Sequence, residues 1–235
     1  MPADPHICAE TLAAMDIFQG LPAAALEAVA ASTRLRRLPK DQCIFSQGDD
    51  GVRAHAVIEG AVRIGQSGSD GAQVIIRFIG PGEMFGTVAL FTDRRYPADA
   101  VTLAETLEAS WSEAELLNLM TIYPPIAINV IRIIGKRLQE VQERVREIAT
   151  QKAERRVAHA VLRLARQAGH STIHGTAIEF PLRRKDVADV AGVTLHTASR
   201  ILTAWEKNGL LVSCNQHLTI RRPAQILSIA EDSGT

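Results

Sequence analysis

The chain has 235 residues, with 26 basic and 26 acidic side chains, so its formal net charge is zero. Hydrophobic residues make up 46% of it, and no apolar run approaches the roughly 20 residues of a membrane span. We therefore expect no membrane partner. The N-terminus lacks the pattern of a signal peptide, and the three cysteines are odd in number and scattered. These features predict a cytoplasmic globular protein without a disulfide framework.

The charge is unevenly distributed along the chain. Residues 151–235 contain 12 Lys and Arg against 7 Asp and Glu, whereas residues 1–150 contain 14 against 19. A basic C-terminal third following an acidic remainder predicts that only this end of the chain meets a polyanion.

Residues 33–112 have the pattern of a β-domain. After helical residues 9–31 come short apolar or alternating runs, and Gly48, Gly60, Gly71 and Gly82 follow one another at intervals of eleven or twelve residues. This spacing is typical of an all-β sandwich or barrel. The fold class predicted is α+β, with an N-terminal antiparallel β-barrel and its preceding helices over residues 1–118.

A long helix is predicted within residues 119–150, after a break at Tyr123-Pro124-Pro125. Positions 127, 134, 141 and 148 interleave with 131, 138, 145 and 152 in a heptad pattern, and charged residues flank it from Lys136 onward. So narrow an apolar stripe favours a partner helix over a broad core face, although an amphipathic helix lying on its own β-domain is the alternative. We predict a parallel homodimer. Its predicted contacts are Ile131, Ile134, Leu138, Val141, Val145 and Ile148.

Residues 151–235 are predicted to form a winged helix-turn-helix. A helix over residues 153–168 and a loop over 169–177 precede two short helices within Leu182–Gly209, and Thr194 is a good N-cap for the second of these. Ala198, Ile201, Leu202 and Trp205 should pack inward. His196, Ser199, Arg200 and Thr203 should lie on the opposite face. Residues 210–220, with a turn at Asn215-Gln216, read as the wing. We therefore predict binding to double-stranded DNA, and an ordinary helical hairpin with a solvated face is the alternative.

Four segments together resemble the CRP/FNR superfamily of bacterial transcription regulators. They are Phe45–Asp49, Ile58–Val62, Pro81–Gly86 and Val193–Leu202, and the resemblance covers essentially the whole chain. It implies a jelly-roll domain of the cyclic-nucleotide-binding type that senses a small effector. It also implies a homodimer that acts on double-stranded DNA and RNA polymerase.

The resemblance assigns base-reading roles to three residues. The FNR-like branch has Glu-x-x-Ser-Arg in the recognition helix, and the matching positions here are His196, Ser199 and Arg200. By this match Arg200 contacts a guanine and Ser199 lies against a thymine. His196 replaces the Glu that accepts from a cytosine, so the next base pair should be read differently. We predict a palindrome of TTG-type half-sites, with two recognition helices about 34 Å apart.

Phosphate contacts are predicted around the same two helices, and a solvated polar face is the alternative for any single residue. The residues are Arg183, Arg184, Lys185, Thr194, Thr197 and Thr203, with Arg221 and Arg222 after the wing.

The family resemblance narrows the choice of effector. Thr87 stands where the cyclic-AMP-binding branch has a Glu, and Pro97 where it has an Arg, so we expect no cyclic AMP, although Arg94 and Arg95 offer a nearby cation. Cys8, Cys43 and Cys214 have neither the number nor the spacing for an iron–sulfur cluster.

The remaining resemblance is to the nitrite and nitric-oxide reductase regulators of denitrification. It implies that nitric oxide is sensed, with haem as the suspected sensor. His55 or His6 would be the iron ligands, and Cys8 or Cys43 softer substitutes. Alternatively, His6 is a solvated tail residue and His55 is hydrogen-bonded within its strand.

Other functions are weaker interpretations of the sequence. Oxidation of Cys214 in the wing could control DNA binding without a cofactor. The chain could also be a ligand-binding module that has lost DNA binding. No catalytic carboxylate pair, nucleophile–histidine arrangement, phosphate loop or metal-ligand spacing is evident, so we expect no enzyme.

Overall fold

The computed structural model describes residues 7–68 and 73–231 of the chain. It consists of two compact units, the first containing residues 1–67 and 79–140 and the second residues 68–78 and 141–235. The predicted domain limits at residues 118 and 150 differ from this division, because the unit boundary falls within the long helix.

The first unit contains the N-terminal helices and most of the β-domain. Its helices are α1 (Ala9–Ala13), α2 (Ala23–Ala31), the single turn α3 (Thr87–Leu90) and α4 (Glu113–Ile122). Its strands are β1 (Arg34–Leu38), β2 (Cys43–Phe45), β3 (Arg53–Glu59), β4 (Val62–Ser67), β6 (Met84–Phe85), β7 (Asp99–Thr102) and β8 (Thr106–Ser112); β5 (Gln73–Ile79) runs across the unit boundary.

The β-domain is a sandwich of antiparallel sheets, which confirms the predicted jelly-roll fold, although the sheets do not close into a barrel. One sheet has the antiparallel order β1-β8-β3-β6, and in the other β7 lies between β2 and β4. Strand β8 is buried along almost its whole length, since it lies between β1 and β3 and both of its faces are covered. The turn residues Gly48, Gly60 and Gly82 have positive φ angles, and Gly71 lies outside the described residues.

Aromatic and aliphatic side chains from the N-terminal helices complete the core of the first unit. Phe18 packs edge-on against Trp111 of β8, with ring centroids 5.4 Å apart, and both side chains are fully buried. The buried amide of Asn129 donates to the carbonyl oxygens of Ile17 and Gln19, at 3.1 and 3.0 Å. The segment before the sandwich is therefore an integral part of this unit.

The long helix α5 (Pro124–Thr150) begins at the predicted proline break and exposes the predicted heptad stripe. Six apolar side chains that should be buried in a dimer are 45–69% exposed in the single chain: Ile131, Ile134, Leu138, Val141, Val145 and Ile148. Ile128, next to the predicted heptad position 127, is also exposed, whereas the predicted position Lys152 lies beyond the helix end. Among the described residues no single helix could cross a membrane, and only the bent pair of α4 and α5 has the required length and composition.

The second unit contains a four-stranded sheet and four further helices. The helices are α6 (Ala153–Ala168), α7 (Arg184–Ala191), α8 (Leu195–Lys207) and α9 (Pro223–Glu231). The sheet orders its strands β11-β12-β10-β9. These strands are β9 (Gly169–Thr172), β10 (Gly175–Ile178), β11 (Leu211–Cys214) and β12 (His217–Ile220).

Two features of the second unit differ from the sequence prediction. The predicted loop over residues 169–177 is the β9–β10 hairpin, whose polar residues lack the apolar alternation of a half-buried strand. Phe78 of β5 also packs in this unit, where its ring stacks on Phe180 with a centroid separation of 4.7 Å. The wing and helix α6 have the predicted boundaries.

Candidate nucleic-acid interface

The turn between α7 and α8 is formed by local sequence signals. Gly192 ends α7 with a left-handed conformation at φ +63°, which favours glycine because it has no Cβ. The hydroxyl of Thr194 then accepts a hydrogen bond from the amide of Thr197 at 3.2 Å and caps α8 as predicted. The two helices are thereby joined by a short, defined turn.

Helix α8 buries one face and presents the other. The predicted inward residues Ala198, Ile201, Leu202 and Trp205 are all buried. The indole of Trp205 also donates to the carboxylate of Glu154 at 3.0 Å, and this hydrogen bond anchors the C-terminal part of α8 to α6. This confirms the predicted division of α8 into an inner and an outer face.

The outer face of α8 carries the predicted base-reading residues. His196 and Arg200 are exposed, while Ser199 is partly exposed. Within the described part of the chain, the guanidinium of Arg200 has no hydrogen-bond or ion-pair partner. A solvated arginine on the outer face of the second helix is able to reach a guanine edge without first breaking an internal bond.

The predicted phosphate ligands differ in how they are held. Arg183 and Lys185 pair with acidic residues of their own helix, Asp186 and Asp189, and more than half of each basic side chain is exposed. Their acidic partners are largely covered, with side chains 6% and 17% exposed, so only the basic ends of these pairs face solvent. Arg184 differs, because it bonds to three groups on α8. The hydroxyls of Thr194 and Thr197 lie 2.9 Å apart and share a hydrogen bond.

The wing is a tight hairpin with exposed polar residues at its end. Asn215 and Gln216 form its turn at φ +49° and +66°, the two successive positive φ angles of a type I′ turn. Cys214 and His217 flank this turn as cross-strand neighbours, and both are exposed. Arg221 and Arg222 follow the wing and are also exposed.

In the first unit, His55 lies in a buried polar network. Its Nδ1 is 2.5 Å from Glu108 and its Nε2 is 2.9 Å from the hydroxyl of Tyr96, and only 3% of the residue is exposed. Arg36 donates to the same Glu108 carboxylate at 2.8 Å. The backbone amide of Arg53 donates to the Tyr96 hydroxyl at 2.8 Å.

This network corrects the prediction that His55 ligates haem iron. Both ring nitrogens already have partners and the ring is covered, so the described geometry leaves no nitrogen for a metal. The second predicted ligand, His6, lies outside the described residues. Across residues 7–68 and 73–231, no group of three or more His, Cys, Asp and Glu is arranged to hold a metal ion.

The protonation states of the network follow from burial and hydrogen bonding. Burial lowers the pKa of His55 below its ordinary value, against the effect of Glu108, so the imidazole is neutral. Burial alone would raise the pKa of Glu108, but hydrogen bonds from His55 and Arg36 lower it, so the carboxylate is charged. Burial also raises the pKa of Tyr96. The neutral imidazole therefore donates from Nδ1 to Glu108 and accepts from Tyr96 at Nε2.

The sequence carried a partial signal for this network and none for the Arg184 contacts. A charged residue inside the otherwise apolar strand β8 marks Glu108 as a buried carboxylate that needs partners. Nothing local indicates which partners those are, because His55 and Glu108 are 53 residues apart.

The three free cysteines are exposed.

Comparison with known families identifies both parts of the chain. Residues 35–123 match the cyclic nucleotide-binding domain, and residues 155–229 match the Crp-like helix-turn-helix domain. The cyclic AMP receptor protein of Thermus thermophilus is 28% identical over 214 residues, which is 91% of this chain and 96% of that protein. The chain belongs to the CRP/FNR family of transcription regulators.

Other members of the CRP/FNR family are similar over most of the chain. The nitrogen fixation regulation protein FixK of Azorhizobium caulinodans is 31% identical over 167 residues, covering 70% of this chain and 66% of that protein. The structure of FixK2 from Bradyrhizobium japonicum has the same fold, with a TM-score of 0.74 at 22% identity, covering 86% of this chain and 99% of FixK2. None of these three relatives is named for nitrite or nitric-oxide reduction, so the resemblance to that branch stays a prediction.

Thr87 and Pro97, on which the prediction that cyclic AMP does not bind is based, both form hydrogen bonds within the first unit. Thr87 is buried at the start of α3, and its hydroxyl accepts from Arg137 of α5 at 3.4 Å. The carbonyl of Pro97 accepts from Gln66 at 3.1 Å. The neighbouring Arg94 and Arg95 form exposed ion pairs with Glu113 and Asp50.

Proposed function

We propose that this chain acts as a dimeric, sequence-specific DNA-binding regulator that recognises a palindrome of two TTG-type half-sites. The observation that carries the proposal is the outer face of α8. There the exposed Arg200, which has no hydrogen-bond or ion-pair partner among the described residues, lies next to Ser199 on a helix fixed by the Thr194 cap and a buried inner face.

The chemistry of this face supports a guanine at the position read by Arg200. A guanidinium donates two parallel hydrogen bonds, which match the O6 and N7 acceptors that guanine presents in the major groove. The neighbouring Ser199 hydroxyl is small enough for close approach to the adjoining base pair. An imidazole at His196 can either donate or accept, so the base pair beside this guanine should be less restricted than it would be with Glu.

The exposed stripe of α5 supports a dimer. Isolated apolar residues on a surface are ordinary, but six at heptad spacing on one helix have the pattern of a two-stranded coiled coil. A two-fold axis along this helix would bring two α8 helices to successive turns of the duplex, about 34 Å apart. The dimer would therefore read a palindrome.

We propose a small effector other than cyclic AMP for the β-domain. Thr87 and Pro97 offer neither the carboxylate nor the cation of the cyclic-AMP-binding branch. Nitric oxide sensing through haem on His55 is not part of the proposal, because both imidazole nitrogens are already bonded. Binding of the effector would shift the population between conformations that differ in their affinity for DNA.

The experiment is a selection of bound sequences from a random duplex pool, with wild type and the variants Arg200→Ala and Arg166→Ala. We expect the wild type to return a two-fold-related TTG/CAA pair. Arg200→Ala should lose the preference for the guanine by about tenfold, which corresponds to one bidentate contact. Arg166 is an exposed arginine on α6, so Arg166→Ala removes the same charge without altering α8 and should keep the preference.

Three outcomes would contradict the proposal. A selection that returns no two-fold-related pair would exclude the palindromic half-sites, and an unchanged preference in Arg200→Ala would exclude the base-reading role. If the wild type binds no duplex under any condition, the chain is instead a ligand-binding module without DNA binding.

A further inference from the structure

Arg184 reaches from α7 to α8 and holds three acceptors on the second helix. Its Nη1 donates to the backbone carbonyl oxygen of Ser199 at 2.8 Å and to the hydroxyl of Thr203 at 2.7 Å. Its Nη2 donates to the carboxylate of Glu206 at 2.8 Å. The three acceptors follow one another along a single stripe of α8, at intervals of four and three residues.

The two neighbouring basic residues, Arg183 just before α7 and Lys185 within it, each form an ion pair with an acidic residue of α7. Arg183 pairs with Asp186, and Lys185 pairs with Asp189. Their side chains are 56% and 55% exposed, whereas that of Arg184 is 36% exposed and its ionic partner Glu206 is 25% exposed. Arg184 would lose three hydrogen bonds to α8 on turning to a phosphate, whereas its two neighbours pair with acidic residues of α7, whose side chains are 6% and 17% exposed.

The geometry of the guanidinium determines what these bonds do. Its donors lie in one plane at fixed angles, so bonds to three points on α8 restrict both the rotation of that helix about its axis and its translation along it. One of the three points is the carbonyl of Ser199, the residue directly before Arg200. The base-reading side chains therefore lie on a helix segment that Arg184 holds to α7.

The same contacts orient the hydroxyl of Thr203. A hydroxyl has one proton to donate, and the Thr203 oxygen accepts from Arg184. Within the described part of the chain that proton has no acceptor. Phosphate oxygens only accept, so the oriented hydroxyl is a suitable donor to the DNA backbone on the outer face of α8.

We propose that Arg184 is a positioning residue for the recognition helix, and that Thr203, which it orients, makes the backbone contact. This inference rests on the proposed sequence-specific DNA binding. It replaces our sequence-based prediction that Arg184 itself binds a phosphate. The two roles differ in what they do to specificity and to salt dependence.

The test measures binding of the full chain to the selected operator and to a scrambled duplex over a range of salt concentrations. For Arg184→Lys and Arg184→Ala we expect the ratio of the two affinities to fall by about tenfold, because the base contacts are misplaced. The salt slope should not change. The matched control Lys185→Ala should lower both affinities alike and reduce the salt slope by about one.

Two further variants separate positioning from a merely structural effect. Glu206→Ala removes one anchor, so we expect a smaller fall in the operator-to-scrambled ratio. If Arg184 were a phosphate ligand, the same change would free it and strengthen binding to every duplex at an unchanged ratio. Thr203→Val should weaken both complexes equally, because it removes a backbone contact. Thermal unfolding of each variant identifies any that is not folded. The folded variants then decide whether Arg184 positions α8 or binds a phosphate.

The outcomes are distinguishable from a failure of the proposed function. If the wild type binds operator and scrambled duplex equally, the proposed function and this inference both fall. If the wild type discriminates but Arg184→Ala lowers the salt slope at an unchanged ratio, only the role of Arg184 is overturned.

Discussion

At the scale of single residues, His55 shows how burial changes the role of a titratable side chain. Taken alone, a histidine at the start of a strand is a candidate metal ligand. In the folded chain its imidazole donates to Glu108 and accepts from Tyr96, and the ring lies against Phe85 with a centroid separation of 5.1 Å. It therefore serves as an interior link, because it joins β3 and β8 to the segment that contains Tyr96.

A fall in pH should destabilise the first unit through His55. Burial lowers the pKa of His55 below its ordinary 6.5, so the unfolded chain binds a proton at a higher pH than the folded chain does. The stability that depends on the neutral imidazole is present above about pH 6.5 and is lost as the pH falls below that value. Glu108, whose pKa is also lowered, contributes stability that is present above about pH 4.5 and is lost only as the pH falls below that value.

We expect the Tm of the wild type to fall by about 2–4 °C more between pH 7 and pH 5 than that of His55→Gln. The exposed residue His217 provides the control, since His217→Gln should keep the wild-type dependence. Calorimetry at the two pH values measures the difference. Equal slopes in wild type and His55→Gln would show that His55 does not set the acid stability.

At the scale of elements, the Pro81–Gly86 segment contains two glycines with positive φ angles, Gly82 and Gly86, and only Gly86 is closely surrounded by other residues. Gly86 has φ +72°, and a Cβ there would lie 2.8 Å from the His55 ring and 3.0 Å from the carbonyl oxygen of Arg53. Gly82 has a similar φ of +81°, but a Cβ there would meet nothing within 4 Å. A comparison of alanine substitutions at these two positions therefore separates the cost of backbone strain from the cost of steric contact.

Gly82→Ala should lower the free energy of unfolding by about 1–2 kcal/mol, the cost of a left-handed non-glycine residue. Gly86→Ala should lower it by about 1–3 kcal/mol more, because the methyl group also displaces His55 or the strand that contains Arg53. Denaturant unfolding of the three proteins measures both changes. If the two alanine variants lose the same stability, the close approach of Gly86 to His55 has no energetic weight.

At the scale of the whole molecule, the helix α5 provides a surface that a single chain leaves exposed. Val141 lies on the apolar stripe and is 58% exposed, while the adjacent Gln142 lies off the stripe and is also exposed. Val141→Asp would place a carboxylate in the proposed dimer contact, where burial of an unpaired charge is costly. Gln142→Asp adds the same charge outside the contact.

We expect Val141→Asp to shift the protein to monomer and to lower operator affinity by about a hundredfold, because one domain alone reads only a half-site. Gln142→Asp should stay dimeric and bind normally. Sedimentation and operator binding measure the two effects. A dimer that persists in Val141→Asp would contradict the proposed contact.

Local patterns in the sequence determined much of this protein. The inner face of α8, its Thr194 cap, the Gly192 turn and the stripe of α5 each follow from residues within a few turns of one another. Such features can be predicted because helix periodicity and capping depend on near neighbours. The resemblance to the CRP/FNR family followed from short motifs of the same local kind.

Only the tertiary structure decided what depends on residues far apart in the chain. In the folded chain His55 is hydrogen-bonded to Glu108, 53 residues away, so this ring nitrogen is not available to a metal. Arg184 is hydrogen-bonded to Glu206, 22 residues away. The fold also has open sheets where a barrel was predicted and a hairpin at β9–β10 where a loop was predicted. The sequence pattern shows which side chains are polar, but only packing determines which acceptor lies within 3 Å of each donor, because hydrogen bonds act over short distances in space, whatever their separation along the chain.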